Sequence, residues 1–84
     1  MVERNVQVIS SLEARPAALF VQTASQFACS IYLRMNNKTI NAKSIMGVIS
    51  LGDLKSQNVT IIADGQDEGQ AADTLEKLLL ETRN

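Results

Sequence analysis

The sequence of 84 residues contains no histidine and no tryptophan, and it has a single cysteine and a single proline. Without histidine the chain cannot build imidazole zinc sites, histidine general bases, Ser-His triads or phosphohistidine. The one cysteine, Cys29, cannot form a disulfide within the chain, which fits a reducing cytoplasm. We interpret Cys29 as a small packed hydrophobe rather than a reactive thiol.

The charges nearly balance, because the chain has eight basic and nine acidic residues and a net charge of −1. Binding nucleic acid through its phosphates needs a basic excess, so we expect no direct contact with nucleic acid. No apolar run approaches the roughly 18 residues of a membrane helix, and no secretory signal is predicted. A hydrophobic share of 45% is typical of a soluble domain. We expect one cytoplasmic domain spanning residues 1–84.

Alternation of apolar and polar residues predicts four strands. They cover residues 5–9, 30–35, 38–41 and 59–63. Between the second and third strands, Asn36-Asn37 tolerates left-handed backbone and predicts a two-residue hairpin turn. The last strand has apolar residues on both faces and is therefore expected inside the sheet.

Helical spacing of apolar residues predicts the first two helices. The first begins at Pro16, whose missing N–H costs nothing in a first turn, and its apolar stripe continues to Ala28. Ser44 is a favourable N-cap for a short helix over residues 45–51, and Gly52 is a natural stop.

A third helix is predicted at the end of the chain. Asp67 and Gln70 have capping-box spacing, and Asp73 and Lys77 have the spacing of a favourable i,i+4 pair. The side chains expected on its buried face are Ala71, Ala72, Leu75, Leu78, Leu79 and Thr82.

The element order β-α-β-β-α-β-α predicts an α+β domain. Two split βαβ units give one antiparallel sheet with its helices on one face, which is an open-faced β-sandwich. The order of elements alone leaves open whether the strands follow the ferredoxin-like order or a related one.

The loop before the first helix has the composition of an anion site. It ends in Arg15-Pro16 at a helix start, which brings backbone N–H groups and a guanidinium together. A phosphoryl carrier also needs a nucleophile, and Glu13 is the acidic residue of this loop. The function therefore depends on what Glu13 can do.

Three stretches of the chain are recognisable, residues 14–17 (ARPA), 21–25 (VQTAS) and 41–48 (NAKSIMGV). They are similar to the HPr family, the small phosphocarriers of the bacterial sugar phosphotransferase system. The last resembles the serine phosphorylation site of HPr proteins from low-GC Gram-positive bacteria. The resemblance covers essentially the whole chain, and it implies a four-stranded antiparallel sheet in the order 1-4-2-3 with three helices on one face.

The resemblance also implies roles for individual residues. Arg15 matches the arginine beside the phosphorylated histidine, and Ser44 matches the serine phosphorylated by HPr kinase/phosphorylase. The apolar patch that contacts partners in the family corresponds to Ile45, Met46 and Ile49.

The sequence departs from the family pattern in the first loop. Glu13 stands in place of the histidine, and Ser11 stands in place of the usual glycine. Among relatives, the Crh proteins, HPr-like regulators of catabolite repression, also lack the histidine, although they usually carry glutamine there. Glu13 is accordingly a residue that drifted to suit a helix N-terminus, a carboxylate that holds Arg15 or imitates the phosphorylated carrier, or an acyl-phosphate carrier.

The expected function is a non-enzymatic regulator of catabolite repression without cofactor or metal. HPr kinase/phosphorylase would modify Ser44, and the product would bind a LacI/GalR-type repressor such as CcpA; metabolic enzymes are further partners. Lys43, next to Ser44, and Leu19, beside the apolar stripe of the first helix, are additional partner-binding candidates. The alternative is a phosphotransferase-system carrier with an altered active site at Glu13.

The first loop also bears on the oligomeric state. Because it contains no glycine between Ile9 and Pro16, a strained connection would favour exchange of the first strand between two chains. We expect a monomer or a weak strand-swapped dimer.

Overall fold

A computed structural model of the chain describes residues 1–8, 14–51 and 58–80, with residues 14–16 described by their backbone only. The elements, in chain order, are β1 (Val2–Gln7), α1 (Ala14–Ala24), β2 (Ser30–Met35), β3 (Lys38–Asn41), α2 (Ile45–Ser50), β4 (Asn58–Asp64) and α3 (Glu68–Leu80). The strands form one antiparallel sheet in the order β1-β4-β2-β3. The α+β class, the element order and the strand order implied by the resemblance are confirmed. None of the described helices is long and apolar enough to cross a membrane.

The core lies between the sheet and the helices. Alternate strand residues point to one face: Val6 lies opposite Val59 across β1 and β4, and Leu33 lies opposite Ile61 across β2 and β4. All four are buried. The helix side of the core consists of Ala17, Phe20 and Ala24 of α1, Val48 of α2, and Ala71, Leu75 and Leu79 of α3. Full burial of a side chain such as Phe20 contributes about 1.5–3 kcal/mol.

The first strand begins at Val2 and not at residue 5 as predicted. The prediction was wrong because Arg4 interrupts the alternation of apolar and polar residues in the sequence. In the structure Arg4 is nevertheless part of the strand and lies opposite the buried Ile61 of β4. Its guanidinium donates to Asp73 at 2.8 Å and to Glu76 at 2.7 Å, both on α3. An inward-facing arginine at the edge of the sheet is thus satisfied by helix carboxylates.

The first helix ends at Ala24 and does not reach Ala28. After Ala24 the backbone tightens, because the N–H of Gln26 donates to the carbonyl of Thr23 at 3.1 Å. The N–H groups of Ala28 and Cys29 donate to the carboxylate of Asp67, at 2.9 and 3.0 Å, instead of continuing a helix. Residues 25–29 are called here the α1–β2 link.

The third helix confirms its predicted apolar face and corrects its predicted cap. The side chain of Asp67 is bonded to the α1–β2 link and does not complete a capping box with Gln70. Its neighbour Glu68 accepts the N–H of Gly65 at 3.0 Å. Asp73 pairs with Arg4 of β1 rather than with Lys77. The predicted face is buried at Ala71, Ala72, Leu75 and Leu79 and half-buried at Leu78, while Thr82 lies outside the described residues.

The hairpin between β2 and β3 is confirmed with the predicted bounds. Asn36 has φ +56°, the left-handed conformation that asparagine tolerates. The fourth strand extends one residue beyond the prediction at each end, and α2 ends at Ser50 with Leu51 as its C-cap. Gly52 lies outside the described residues.

Candidate functional site

Ser44 caps the N-terminus of α2. Its backbone is extended, with φ −108° and ψ 116°, and its Oγ accepts the N–H of Gly47 at 3.2 Å. Its carbonyl accepts the N–H of Val48 at 3.0 Å, which is the first helical bond. The residue is half-buried. One bond leaves the hydroxyl with its proton and a second lone pair, so Ser44 can stabilise the helix and still present its oxygen to another protein.

Residues 41–44, called here the Ser44 turn, are held by local hydrogen bonds. The Oδ1 of Asn41 accepts the backbone N–H of Lys43 at 2.8 Å, and its carbonyl accepts the N–H of Ser44 at 3.1 Å. Ala42 is fully buried, and its N–H donates to the carbonyl oxygen of Ile31 at 2.9 Å. The position of the Ser44 hydroxyl is therefore defined by the backbone on its N-terminal side.

The side chain of Lys43 connects the Ser44 turn to the α1–β2 link. Its Nζ donates to the carbonyl oxygen of Phe27, in the α1–β2 link, at 2.7 Å, and the residue is half-buried. Lys43 is thus engaged within the domain and is more than a solvated cation. A second lysine acts similarly at the other end of α2, where the Nζ of Lys38 donates to the carbonyl of Ser50 at 3.2 Å.

An apolar surface lies on α2 immediately after Ser44. Met46 is 73% exposed, Ile49 43% and Ile45 36%, and these three residues are called here the apolar patch. Val48 is fully buried and anchors α2 in the core. Among the four large apolar residues of α2, the structure thus buries Val48 and leaves the apolar patch accessible. Leu19 is 52% exposed on α1, the helix that packs against α2.

The structure locates the first-loop candidates only in part. Arg15 lies in the first turn of α1, and Glu13 lies outside the described residues. The pairing of Glu13 with Arg15 stays a prediction. Among the residues that are described, no group of histidine, cysteine and carboxylate side chains is arranged to hold a metal ion.

Sequence reasoning missed the environment of the α1–β2 link. The hydrogen bond from the N–H of Ala28, with smaller contributions from Cys29, lowers the pKa of Asp67 below its ordinary value. Burial, with a further contribution from Asp67, raises the pKa of the Cys29 thiol. Cys29 is 3% exposed, which agrees with its interpretation as a packed hydrophobe. Nothing in the local sequence signals these contacts, because Asp67 follows Cys29 by 38 positions.

Comparison with known proteins places this geometry in a family. The family model described as "PTS HPr component phosphorylation site" matches residues 2–81. The HPr-like protein Crh of Bacillus subtilis is 49% identical over 80 residues, which are 93% of this chain and 91% of that protein.

Solved structures give the same result. The phosphocarrier protein HPr of Bacillus anthracis superposes with a TM-score of 0.89 at 42% identity, over 93% of this chain and 95% of that chain. A crystal structure of Bacillus subtilis Crh, described as a domain-swapped dimer, has a TM-score of 0.77 at 44% identity, over 94% of this chain and 93% of that chain. The chain belongs to the HPr family, and it is similar both to HPr phosphocarriers and to HPr-like Crh proteins.

Proposed function

We propose that this protein is a non-catalytic, cytoplasmic regulator of the Crh kind. HPr kinase/phosphorylase transfers the γ-phosphoryl group of ATP to the Oγ of Ser44, which loses its proton, and ADP leaves. The phosphorylated form then binds a LacI/GalR-type repressor such as CcpA as corepressor. The repressor makes the contacts with DNA.

The observation that carries this proposal is the placement of Ser44 directly beside the apolar patch. A half-buried serine at a helix N-cap precedes Met46, which is 73% exposed. A phosphate adds charge of about −1.5 to −2 at pH 7 and acceptor oxygens. Joined to exposed apolar side chains, it gives a partner both a polar and an apolar contact.

The methionine at the centre of the patch suits more than one partner. Methionine is flexible and polarizable, so it adapts to differently shaped surfaces. Ile45 and Ile49 flank it on the same two-turn helix, which Val48 fixes to the core. This combination supports binding to metabolic enzymes as well as to a repressor, with Leu19, Lys43 and Arg15 as further contacts.

Phosphorylation is tested with ATP and HPr kinase/phosphorylase, and the modified residue is located by mass spectrometry. We expect acid-stable phosphate at Ser44 and none in Ser44→Ala. Ser50→Ala is the matched control, because Ser50 is an exposed serine on the same helix. Phosphate at Ser50, or none at all, would contradict the proposal.

The alternative carrier function is tested with phosphoenolpyruvate and Enzyme I in place of ATP and the kinase. A carrier would acquire phosphate at Glu13 that alkali and hydroxylamine release, since an acyl phosphate is labile to both. We expect no such phosphate. Its appearance would establish the altered phosphotransferase carrier instead of the regulator.

Binding to the repressor is tested with the phosphorylated protein and variants of the apolar patch. Ile49→Ser should weaken binding to CcpA about tenfold or more, as loss of a buried interface anchor does. Leu80→Ser is the control, because Leu80 is 42% exposed, close to the 43% of Ile49, but lies on α3. Equal effects of the two changes would rule out α2 as the docking surface.

A further inference from the structure

The ammonium of Lys43 is bonded to a backbone carbonyl although it belongs to the residue next to Ser44. Its Nζ lies 2.7 Å from the carbonyl oxygen of Phe27, and the backbone N–H of Lys43 is separately held by Asn41. The backbone of this residue is therefore fixed by one contact and its side chain by another. The side-chain contact can change while the turn keeps its shape.

The carbonyl of Phe27 belongs to a link that is held from two sides. Lys43 bonds its carbonyl, and the carboxylate of Asp67 accepts the N–H groups of Ala28 and Cys29 that follow it. Through these contacts the Ser44 turn, the end of α1 and the start of α3 meet at residues 25–29. A change in the hydrogen-bond partner of Lys43 would therefore also affect residues 25–29, outside α2.

A phosphate on Ser44 would compete for this ammonium. A carbonyl oxygen carries a partial charge, whereas a phosphate carries about −1.5 to −2 and forms stronger, charge-assisted bonds. The Cα atoms of Lys43 and Ser44 are consecutive and so about 3.8 Å apart. The four-carbon stem of lysine is flexible, and it can bring the ammonium to either acceptor.

We propose that Lys43 is a positioning residue with two alternative acceptors, the carbonyl of Phe27 before modification of Ser44 and the phosphate after it. This inference rests on the proposed modification of Ser44. The exchange releases the α1–β2 link from the Ser44 turn. It also neutralises part of the phosphate charge, so the partner meets a lysine–phosphate pair and not an isolated phosphate.

The experiment uses the full chain with phosphoserine placed at position 44 during translation, so that no kinase is involved. The ¹³C resonance of the Phe27 carbonyl and the amide resonance of Ala28 report the hydrogen bond to Lys43. Phosphoserine should shift both resonances. Lys43→Met without phosphate should shift the Phe27 carbonyl in the same direction, because it removes the same donor.

Two further variants separate exchange from a structural effect. Lys38→Met is the matched control, because Lys38 also donates to a carbonyl at α2; it should shift Ser50 and leave the Phe27 response to phosphoserine unchanged. Titration by ³¹P resonance should give a second phosphate pKa about half a unit higher in Lys43→Met than in the parent. Lys43→Arg should restore the parent value.

The results distinguish this inference from the function on which it rests. If phosphoserine leaves the Phe27 carbonyl unmoved and Lys43→Met leaves the phosphate titration unchanged, Lys43 keeps its original acceptor and the exchange is refuted. That outcome would not affect phosphorylation by the kinase. Failure of the kinase to modify Ser44 would refute the proposed function, while the resonances would still decide the exchange.

Discussion

Replacing Ser44 tests whether its structural and regulatory roles can be separated. Ser44→Ala removes both the N-cap oxygen and the phosphate acceptor. Ser44→Asp keeps an oxygen that can accept the N–H of Gly47 but has no hydroxyl to phosphorylate. Both variants lack the hydroxyl, so neither should be phosphorylated by the kinase at position 44. Because aspartate and serine are comparably good caps, only Ser44→Ala should lose the stability that the cap provides.

The size of the stability effect follows from the geometry of the cap. The bond between the Gly47 N–H and the Ser44 Oγ is 3.2 Å long and partly buried. Replacing a serine cap by alanine costs typically about 1 kcal/mol. In Ser44→Asp we expect a change below about 0.5 kcal/mol, because the carboxylate keeps the bond and lies at the positive end of α2.

Urea unfolding measures both variants against the parent protein. A small domain has an m-value of about 1 kcal/mol/M, so Ser44→Ala should lower the midpoint by about 1 M. The corresponding loss in melting temperature is about 4–8 °C. The reasoning fails if Ser44→Ala unfolds at the parent midpoint. It also fails if Ser44→Asp loses as much stability as Ser44→Ala, since Oγ would then not act as the cap.

Three further changes test contacts away from the site. Asp67→Asn should flatten the dependence of the urea midpoint on acid pH. Hydrogen bonds from Ala28 and Cys29 hold the pKa of Asp67 in the folded protein below its ordinary 3.8. The ionised carboxylate therefore stabilises the folded protein fully above about pH 5, and this stabilisation is lost as the pH falls through 3.8 toward the lower folded-state pKa. An unchanged pH slope would contradict this. Gly65→Ala should cost about 2–5 kcal/mol, because Gly65 has φ +148° and an added Cβ would lie 2.6 Å from the Cβ of Cys29. The control Gly69→Ala should gain about 0.5–1 kcal/mol in α3, because beyond the adjacent residues and the backbone of its own helix the added Cβ meets no atom within 4 Å. Arg4→Met should speed the exchange of β1 between chains, which is measured by mixing labelled and unlabelled protein. The dimer fraction in sedimentation should not change, because a swapped dimer would retain the same β1–α3 contacts. A dimer fraction that rises with the substitution would refute this.

Local patterns predicted the elements whose determinants are local. The hairpin followed from strand alternation and from Asn36, whose left-handed backbone is observed at φ +56°. The cap of α2 followed from Ser44. Strand order required the family resemblance, because adjacent strands such as β1 and β4 are far apart in sequence and the element order allows several pairings.

Other features were missed because they depend on partners distant in the chain. The α1–β2 link that follows α1 is held by Asp67, which accepts the N–H of Ala28 from 39 positions away. The inward side chain of Arg4 is acceptable only because α3 supplies carboxylates. The helix α2 has only six residues, and its apolar residues point to more than one side. The apolar periodicity therefore could not identify Val48 as the buried residue. The sequence contains these residues but gives no local sign of their pairing.

The absence of histidine concerns position 13, whereas the Ser44 cap and the apolar patch belong to α2 and the residue before it. A phosphocarrier needs a nucleophile at position 13, and Glu13 is not an imidazole. The cap at Ser44 depends on Gly47, and the burial of α2 depends on Val48. Under the proposed function, selection on a regulator can keep the serine, the apolar patch and the Lys43 contact while position 13 changes. Arg15, in the first turn of α1, is proposed as a further contact for partners and needs no phosphoryl transfer for that role.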